Sequence, residues 1–308
     1  MTIQDDLRGF KSFNSRDASV ELWIFKKRPT TGDVNPFTAV SVQASNALEN
    51  ELKGVVAGFQ ESFGDVENYD LLAQPNEGGF LGLSKVDTLF PRLSQLVERP
   101  HEECLAASVR QLNNAAGYVV CLRWGNDSLY CVKKTTSDWA TRKKKGYMSI
   151  FFREAELDIQ ENPSFTVARS FDFFVHGDSI LVANKAAFES LLNHKDTYEE
   201  AFVALQQEQP FVQAFSSLDE ITQYVGTNAI QLRRMAVIKA RGYYNNPGYM
   251  GKLRTVNDAR GWGIAFDPQG KIVPTPETVK AIIQVLLDHR LRSELSDNQY
   301  DVQSTTPV

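Results

Sequence analysis

Lys133, Lys134, Arg142, Lys143, Lys144 and Lys145 fall in one short span opposed only by Asp138, with Trp139 and Tyr147 interleaved. Cations at this density suit phosphate oxygens, and indole and phenol rings stack on sugars or bases, so the composition of the span is that of a nucleic-acid contact. A solvated loop whose lysines only aid solubility has the same composition, and both readings stand. A second cluster comprises Arg233, Arg234, Lys239, Arg241, Lys252, Arg254 and Arg260, includes Tyr243, Tyr244 and Tyr249, and is opposed only by Asp258. On a helix Arg234 and Arg241 share a face with Ile230 and Val237. That spacing predicts half-buried guanidinium groups with acidic partners inside the protein. Phosphate contact through Arg233, Arg234, Arg241, Lys252 and Arg254 is the alternative.

Other residues of suitable type lack the spacing that their chemistry needs. Gly248-Tyr249-Met250-Gly251-Lys252 has only two residues between its glycines, and Leu253 stands where a phosphate-binding loop needs Ser or Thr. Gly78-Gly79-Phe80-Leu81-Gly82 lacks dinucleotide spacing and reads as a turn. His101, His176, His194 and His289 are spread singly, so no pair shares a helical face for a metal. Glu51-Leu52-Lys53 has the carboxylate-x-Lys form found at nuclease metal sites, but it falls on an amphipathic helix rather than a strand. Asp172 and Asp178 read as strand-edge and turn residues. Neither a catalytic residue, a metal nor a cofactor is expected.

The charge of −5 gives no whole-chain signal for nucleic acid, which leaves the argument to local clusters. Cys104, Cys121 and Cys131 are odd in number and contain no C-x-x-C pair, which fits a reducing cytosol rather than a disulfide framework or a zinc cage. The start, Met1-Thr2-Ile3-Gln4-Asp5-Asp6, carries neither a basic nor an apolar run, and no window is apolar enough for a membrane span. A cytoplasmic protein without direct membrane insertion is expected, recruited to the inner membrane only by a partner.

The elements that must hold these clusters follow from periodicity. Val20 to Phe25 and Phe37 to Val42 alternate as strands, while Leu48, Leu52, Val55, Phe59 and Phe63 repeat at helical spacing. A short helix is expected around Leu89 to Val97. A hairpin is expected from Tyr118 to Val132 about Gly125-Asn126-Asp127, with strand character continuing through Met148 to Phe152 and Phe165 to Arg169. Gly177-Asp178 is a two-residue hairpin turn, which pairs Val175 with Ile180, Phe174 with Leu181 and Phe173 with Val182. Both faces of that ribbon are apolar, so its strands belong inside a covered sheet, and Asn184 caps the helix that follows.

From Lys185 the apolar period becomes helical. Thr197-x-x-Glu200 and Ser217-x-x-Glu220 have the capping-box pattern, and Asn193 to Asp196 breaks one long helix into two. Thr275-Pro276 starts a last helix with the stripe Val279, Ile282, Ile283, Leu286, Leu287 and Leu291, and Asn298 to Val302 forms an edge strand or drapes over the surface. The fold class read from this is α+β: a strand-rich, largely antiparallel region with packed helices over residues 1–184, followed by a mostly helical region over 185–308.

The run FDFFVHGDSILVANKAAFESLLNHKDTYEEAF, from Phe171 to Phe202, resembles the Kiwa protein KwaB-like family. The later run Phe266-Asp267-Pro268-Gln269-Gly270-Lys271-Ile272, the Val279 to Leu291 helix and the segment Ser293 to Val302 are similar to that family's ending. The resemblance implies a DNA-binding component of a bacterial anti-phage system that acts with the membrane protein KwaA and interferes with phage DNA replication or transcription. It carries over no catalytic residue. The expectation is a non-enzymatic homodimer that binds DNA with little sequence preference. A metal-dependent nuclease with dispersed ligands, and a docking subunit of a membrane complex that does not bind DNA, are the alternatives.

Overall fold

The computed structural model describes residues 3–27, 37–62, 64–69, 71–72, 79–84, 96–97, 105–106, 108–140, 150–153, 155–159, 164–293, 295–296 and 298–302, with the backbone alone for 3–6 and 151–153. The chain divides into two compact units, residues 1–69 with 74–192, and residues 70–73 with 193–308. The helix Lys185–Leu191 therefore stays with the sheet, although its periodicity groups it with the helical run that follows.

The first unit is built on eight strands: β1 (Ser19–Lys27), β2 (Phe37–Val42), β3 (Val66–Asn68), β4 (Phe80–Ser84), β5 (Gly117–Trp124), β6 (Asp127–Lys134), β9 (Phe173–His176) and β10 (Ser179–Val182). Their order is β2-β1-β5-β6-β9-β10-β4-β3, antiparallel throughout except for the parallel β3–β4 pair. Here β7 (Ile150–Arg153) and β8 (Glu156–Ile159) form a separate two-stranded sheet.

The β9–β10 hairpin has the register expected of it, with Phe173, Phe174 and Val175 opposite Val182, Leu181 and Ile180. Gly177 takes φ 54° in the turn, a left-handed conformation that suits glycine. The hairpin lies between β6 and β4, so successive side chains must bury on opposite faces. On one face, α1 (Ile3–Ser12) and α2 (Asn46–Ser62) bring Phe10 and Phe59 to Phe174 at ring distances of 5.0 and 5.1 Å, with Phe80 at 5.6 Å. On the other face Phe173 meets Phe188 of α3 (Lys185–Leu191) at 4.9 Å. The Asn184 side chain accepts from the Ala187 N–H and fixes the start of α3.

Two strand expectations change. The Tyr118 to Val132 hairpin closes through Gly125 and Asn126 alone, with Trp124 opposite Asp127. Phe165 to Arg169 is not a strand: a single antiparallel bridge joins Phe165 to Ala140, and the Thr166 N–H donates to the Trp139 carbonyl at 2.9 Å. That bridge is a neck. The chain leaves the sheet after Ala140, forms β7–β8 and returns at Phe165. Of the short helix expected at Leu89 to Val97, Leu96 and Val97 are helical and buried, and the rest lies outside the described residues.

The second unit contains α4 (His194–Gln207), α5 (Gln209–Gln213), α6 (Asp219–Val225), α7 (Ala229–Arg241), α8 (Pro247–Arg260) and α9 (Val279–Leu286). Two short antiparallel pairs join them, β11 (Ala265–Phe266) with β12 (Ile272–Val273), and β13 (Arg290–Arg292) with β14 (Gln299–Asp301). The helix α4 packs along α7, and Phe202, Leu205, Leu232, Met235 and Ile238 are buried.

Neither capping box forms as expected. Asn193, in the left-handed region at φ 54°, precedes a helix that begins at His194, which leaves Thr197 inside it. Ser217 accepts from the Asp219 N–H at 3.1 Å as a turn residue, while Leu218 is the cap of α6. The last helix is shorter than its apolar stripe: it ends at Leu286, Asp288 turns the chain with φ 55°, and Leu291 is exposed on β13. The segment Gln299–Asp301 takes the edge-strand option.

Candidate nucleic-acid interface

The first basic cluster starts at the end of β6, and the fold uses three of its members internally. Lys133 Nζ pairs with Asp172 Oδ1 at 2.9 Å and donates to Ser170 Oγ at 3.0 Å. The side chains of Lys133 and Asp172 are only 15% and 2% exposed, which makes the pair part of the interior. The other carboxylate oxygen of Asp172 accepts from the Lys134 N–H at 2.7 Å, and the Asp172 carbonyl accepts from the Ala183 and Asn184 N–H groups. Asp172 is thus a buried hub rather than a strand-edge residue.

Lys134 Nζ reaches Ser190 Oγ at 2.8 Å, and Lys27 Nζ donates to the Ser190 carbonyl. Both ammonium groups sit at the C-terminal end of α3, where the helix carries partial negative charge. Trp139 is 6% exposed: its Nε1 donates to the Leu112 carbonyl at 3.0 Å, Tyr118 stacks on it at 5.6 Å and Phe165 lies at 5.3 Å. Its ring anchors the neck and is enclosed, which is not the geometry of a stacking platform for a base. Arg142, Lys143, Lys144 and Lys145 lie outside the described residues.

The second cluster occupies α7 and α8. Arg233 lies over the Tyr198 ring at 5.7 Å, Arg234 donates to Gln231 Oε1 at 3.3 Å, and Arg241 donates to the Leu287 carbonyl. Arg254 donates to the Gly270 carbonyl and lies 5.4 Å from the Phe266 ring centre, so it braces the β11–β12 turn. Lys252 is exposed on α8. The expectation of intramolecular roles is met at these arginines, but the acceptors at Arg234 and Arg254 are an amide oxygen and a backbone carbonyl rather than carboxylates. Their positive charge is therefore not cancelled by their hydrogen-bond partners. No carboxylate occurs in the sequence from Ile221 to Asn257, a stretch that contains Arg233, Arg234, Lys239, Arg241, Lys252 and Arg254.

The aromatic residues of this cluster are held firmly. Tyr243 and Tyr249 stack in parallel at 4.8 Å, with 9° between their planes, and both are partly exposed. The Tyr249 hydroxyl donates to the Val285 carbonyl at 2.5 Å, and burial pushes its pKa well above the ordinary tyrosine value. Tyr244 is buried.

Several described residues that could act as acids, bases or nucleophiles are engaged within the fold. Cys121 and Cys131 are buried in the sheet; burial pushes the Cys121 thiol up to about 12 and the Cys131 thiol well above its usual value, so neither supplies a thiolate near neutral pH. His176 pairs with Asp127 at 2.8 Å beside the hairpin turn, and the buried His194 contacts the Tyr198 hydroxyl at 3.3 Å. The buried Lys185–Glu189 pair, at 3.9 Å, is joined by the Tyr69 hydroxyl, which donates to Glu189 at 3.0 Å and fixes α3. Among the described residues, no group of three or more His, Cys, Asp or Glu side chains is placed to hold a metal ion. Among the same residues, no helix is long and apolar enough to cross a membrane.

The signals that sequence reasoning missed are tertiary ones. Asp172, Ser170 and Ser190 fix the lysines of the first cluster, and Gln231, Leu287 and Gly270 fix the arginines of the second, from positions without charge of their own except Asp172.

Comparison with known proteins gives a family match. The model of the Kiwa protein KwaB-like family matches residues 112–296, more than half of the chain. No curated protein and no solved structure matches the chain. The matched span runs from just before β5 to beyond β13 and includes the β9–β10 hairpin, α3 and both basic clusters. The chain belongs to the Kiwa protein KwaB-like family.

Proposed function

We propose that this protein is a non-enzymatic DNA-binding effector of a bacterial anti-phage defence system. It acts with the membrane protein KwaA and interferes with phage DNA replication or transcription. The family supports the defence role, and the observation that carries DNA binding is the charge of α7 and α8. The stretch from Ile221 to Asn257 contains six cations and no carboxylate, and the acceptors at Arg234 and Arg254 are neutral. Such a surface attracts a polyanion even on a chain whose net charge is negative.

The Lys143, Lys144 and Lys145 run supplies the second contact, on the excursion that leaves the sheet at the Ala140–Phe165 neck. Contacts of this kind address phosphates and carry no base code, so sequence preference is weak. Association as a homodimer presents two copies of each basic surface to one duplex. Purified protein is expected to shift duplex DNA at low salt and to leave it intact with magnesium or manganese. Cleavage abolished by a chelator selects the nuclease alternative, and KwaA co-purification without DNA affinity selects the docking subunit.

A further inference from the structure

A pocket of about 330 Å³ lies in the second unit, between the end of α8 and the β13–β14 hairpin. Its walls are braced. Arg290 grips Asp301 through two hydrogen bonds, at 2.7 and 3.0 Å, and lies 5.7 Å from the Trp262 ring centre. Trp262 Nε1 donates to Gln299 Oε1 at 2.9 Å, and Gln299 Nε2 reaches the Arg260 carbonyl at 3.4 Å. Arg260 is a lining residue whose guanidinium has no hydrogen bond or ion pair among the described residues.

The electrostatics are one-sided. Asp301 is the one carboxylate of the lining, and it is consumed by Arg290. Its pKa is held below the usual aspartate value, first by the Arg290 hydrogen bond and further by the charges of Arg290, Lys280 and Arg234. Arg260 adds a further cation and offers a planar fork that matches two phosphate oxygens at once. Tyr300, 49% exposed, presents an aromatic surface beside it. The volume is at the lower end of the range for small-molecule sites, about 300–1,000 Å³. That size suits a mononucleotide better than a dinucleotide cofactor.

We propose that this pocket binds the phosphate of a single nucleotide unit, with Arg260 pairing the phosphate and Tyr300 stacking on the base. The phosphate belongs either to a free nucleotide or to the 5′ end of a DNA strand. None of Lys143, Lys144 and Lys145 is a lining residue, and the proposal does not depend on duplex binding through them.

Calorimetric titration of the full chain tests the proposal with deoxyadenosine monophosphate, deoxyadenosine, and one short oligonucleotide with and without a 5′ phosphate. The monophosphate, the phosphorylated oligonucleotide or both should saturate the protein, the unphosphorylated counterparts should bind at least about tenfold more weakly, and Arg260→Ala should remove at least about tenfold of the affinity. Binding by the phosphorylated oligonucleotide alone identifies the strand end as the source. Thermal unfolding of Arg260→Ala should match the parent, and Arg260→Lys should retain part of the affinity. Charge reversal at Lys143, Lys144 and Lys145 should leave monophosphate binding in place even where it removes duplex binding. No binding by either phosphorylated probe overturns the proposal, as does equal affinity with and without the phosphate or an Arg260→Ala protein that binds like the parent.

Discussion

Lys133 and Asp172 meet at 2.9 Å across β6 and the entry to β9, although 39 residues separate them in the chain. The chain between them contains the whole excursion that carries Lys143, Lys144 and Lys145. The pair ties the end of β6 to the entry of β9, with Asp172 also held by the Lys134 N–H.

Asp172→Ala leaves the Lys133 ammonium largely buried without its counter-ion, and such a loss costs about 3 kcal/mol. Urea unfolding of the variant should show a lower midpoint with an unchanged slope. A midpoint equal to the parent's places the pair outside the stabilising core.

Gly270 and Arg254 support a second prediction. Gly270 has φ 79°, and an added Cβ falls 1.9 Å from Arg254 Nη2. Gly270→Ala should destabilise the second unit by more than about 1 kcal/mol, combining backbone strain with the clash. In a double-mutant cycle, Arg254→Ala should relieve the part due to the clash and leave the backbone part. Strict additivity contradicts the contact.

The fold itself was legible where the information is local. Gly177-Asp178 and the alternating residues on either side specify the hairpin and its register, and Asn184 sits where a cap must be. The stripe that ran on to Leu291 misled because apolar spacing says nothing of Asp288, whose left-handed backbone ends the helix early. Asn193 hid the true start of α4 in the same way. At the basic clusters, residue type marked charge correctly but not its neighbours. Trp139 among lysines has the composition of a stacking surface, and only the distant Leu112 carbonyl and the Tyr118 and Phe165 rings make it a core residue.

The buried thiols make stability fall in alkali. An unfolded cysteine ionises near pH 8.5, whereas Cys121 in the folded sheet holds its proton to about 12 and Cys131 holds its own well above the usual range. Between those values the folded state binds more protons than the unfolded state, so stability is fully present below about pH 8.5 and declines as pH rises, by at most about 1.4 kcal/mol per pH unit for each thiol. Chemical denaturation at a series of alkaline pH values measures the slope. Replacing Cys121 by Ser or Ala should reduce it, and an unchanged slope in both variants contradicts the assignment.

The central claim is that the protein holds DNA through phosphate contacts, and the salt dependence of duplex affinity tests it most directly. The logarithm of the association constant should fall linearly with the logarithm of salt concentration, by about 0.9 for each phosphate neutralised. Charge reversal at Lys143, Lys144 and Lys145 should flatten that line, and replacing Lys252 by Ala should weaken binding evenly across duplex sequences. A purified protein that shifts neither duplex nor single-stranded DNA at low salt contradicts the account. A charge-reversed protein with the parent's affinity and slope removes the basic run from it.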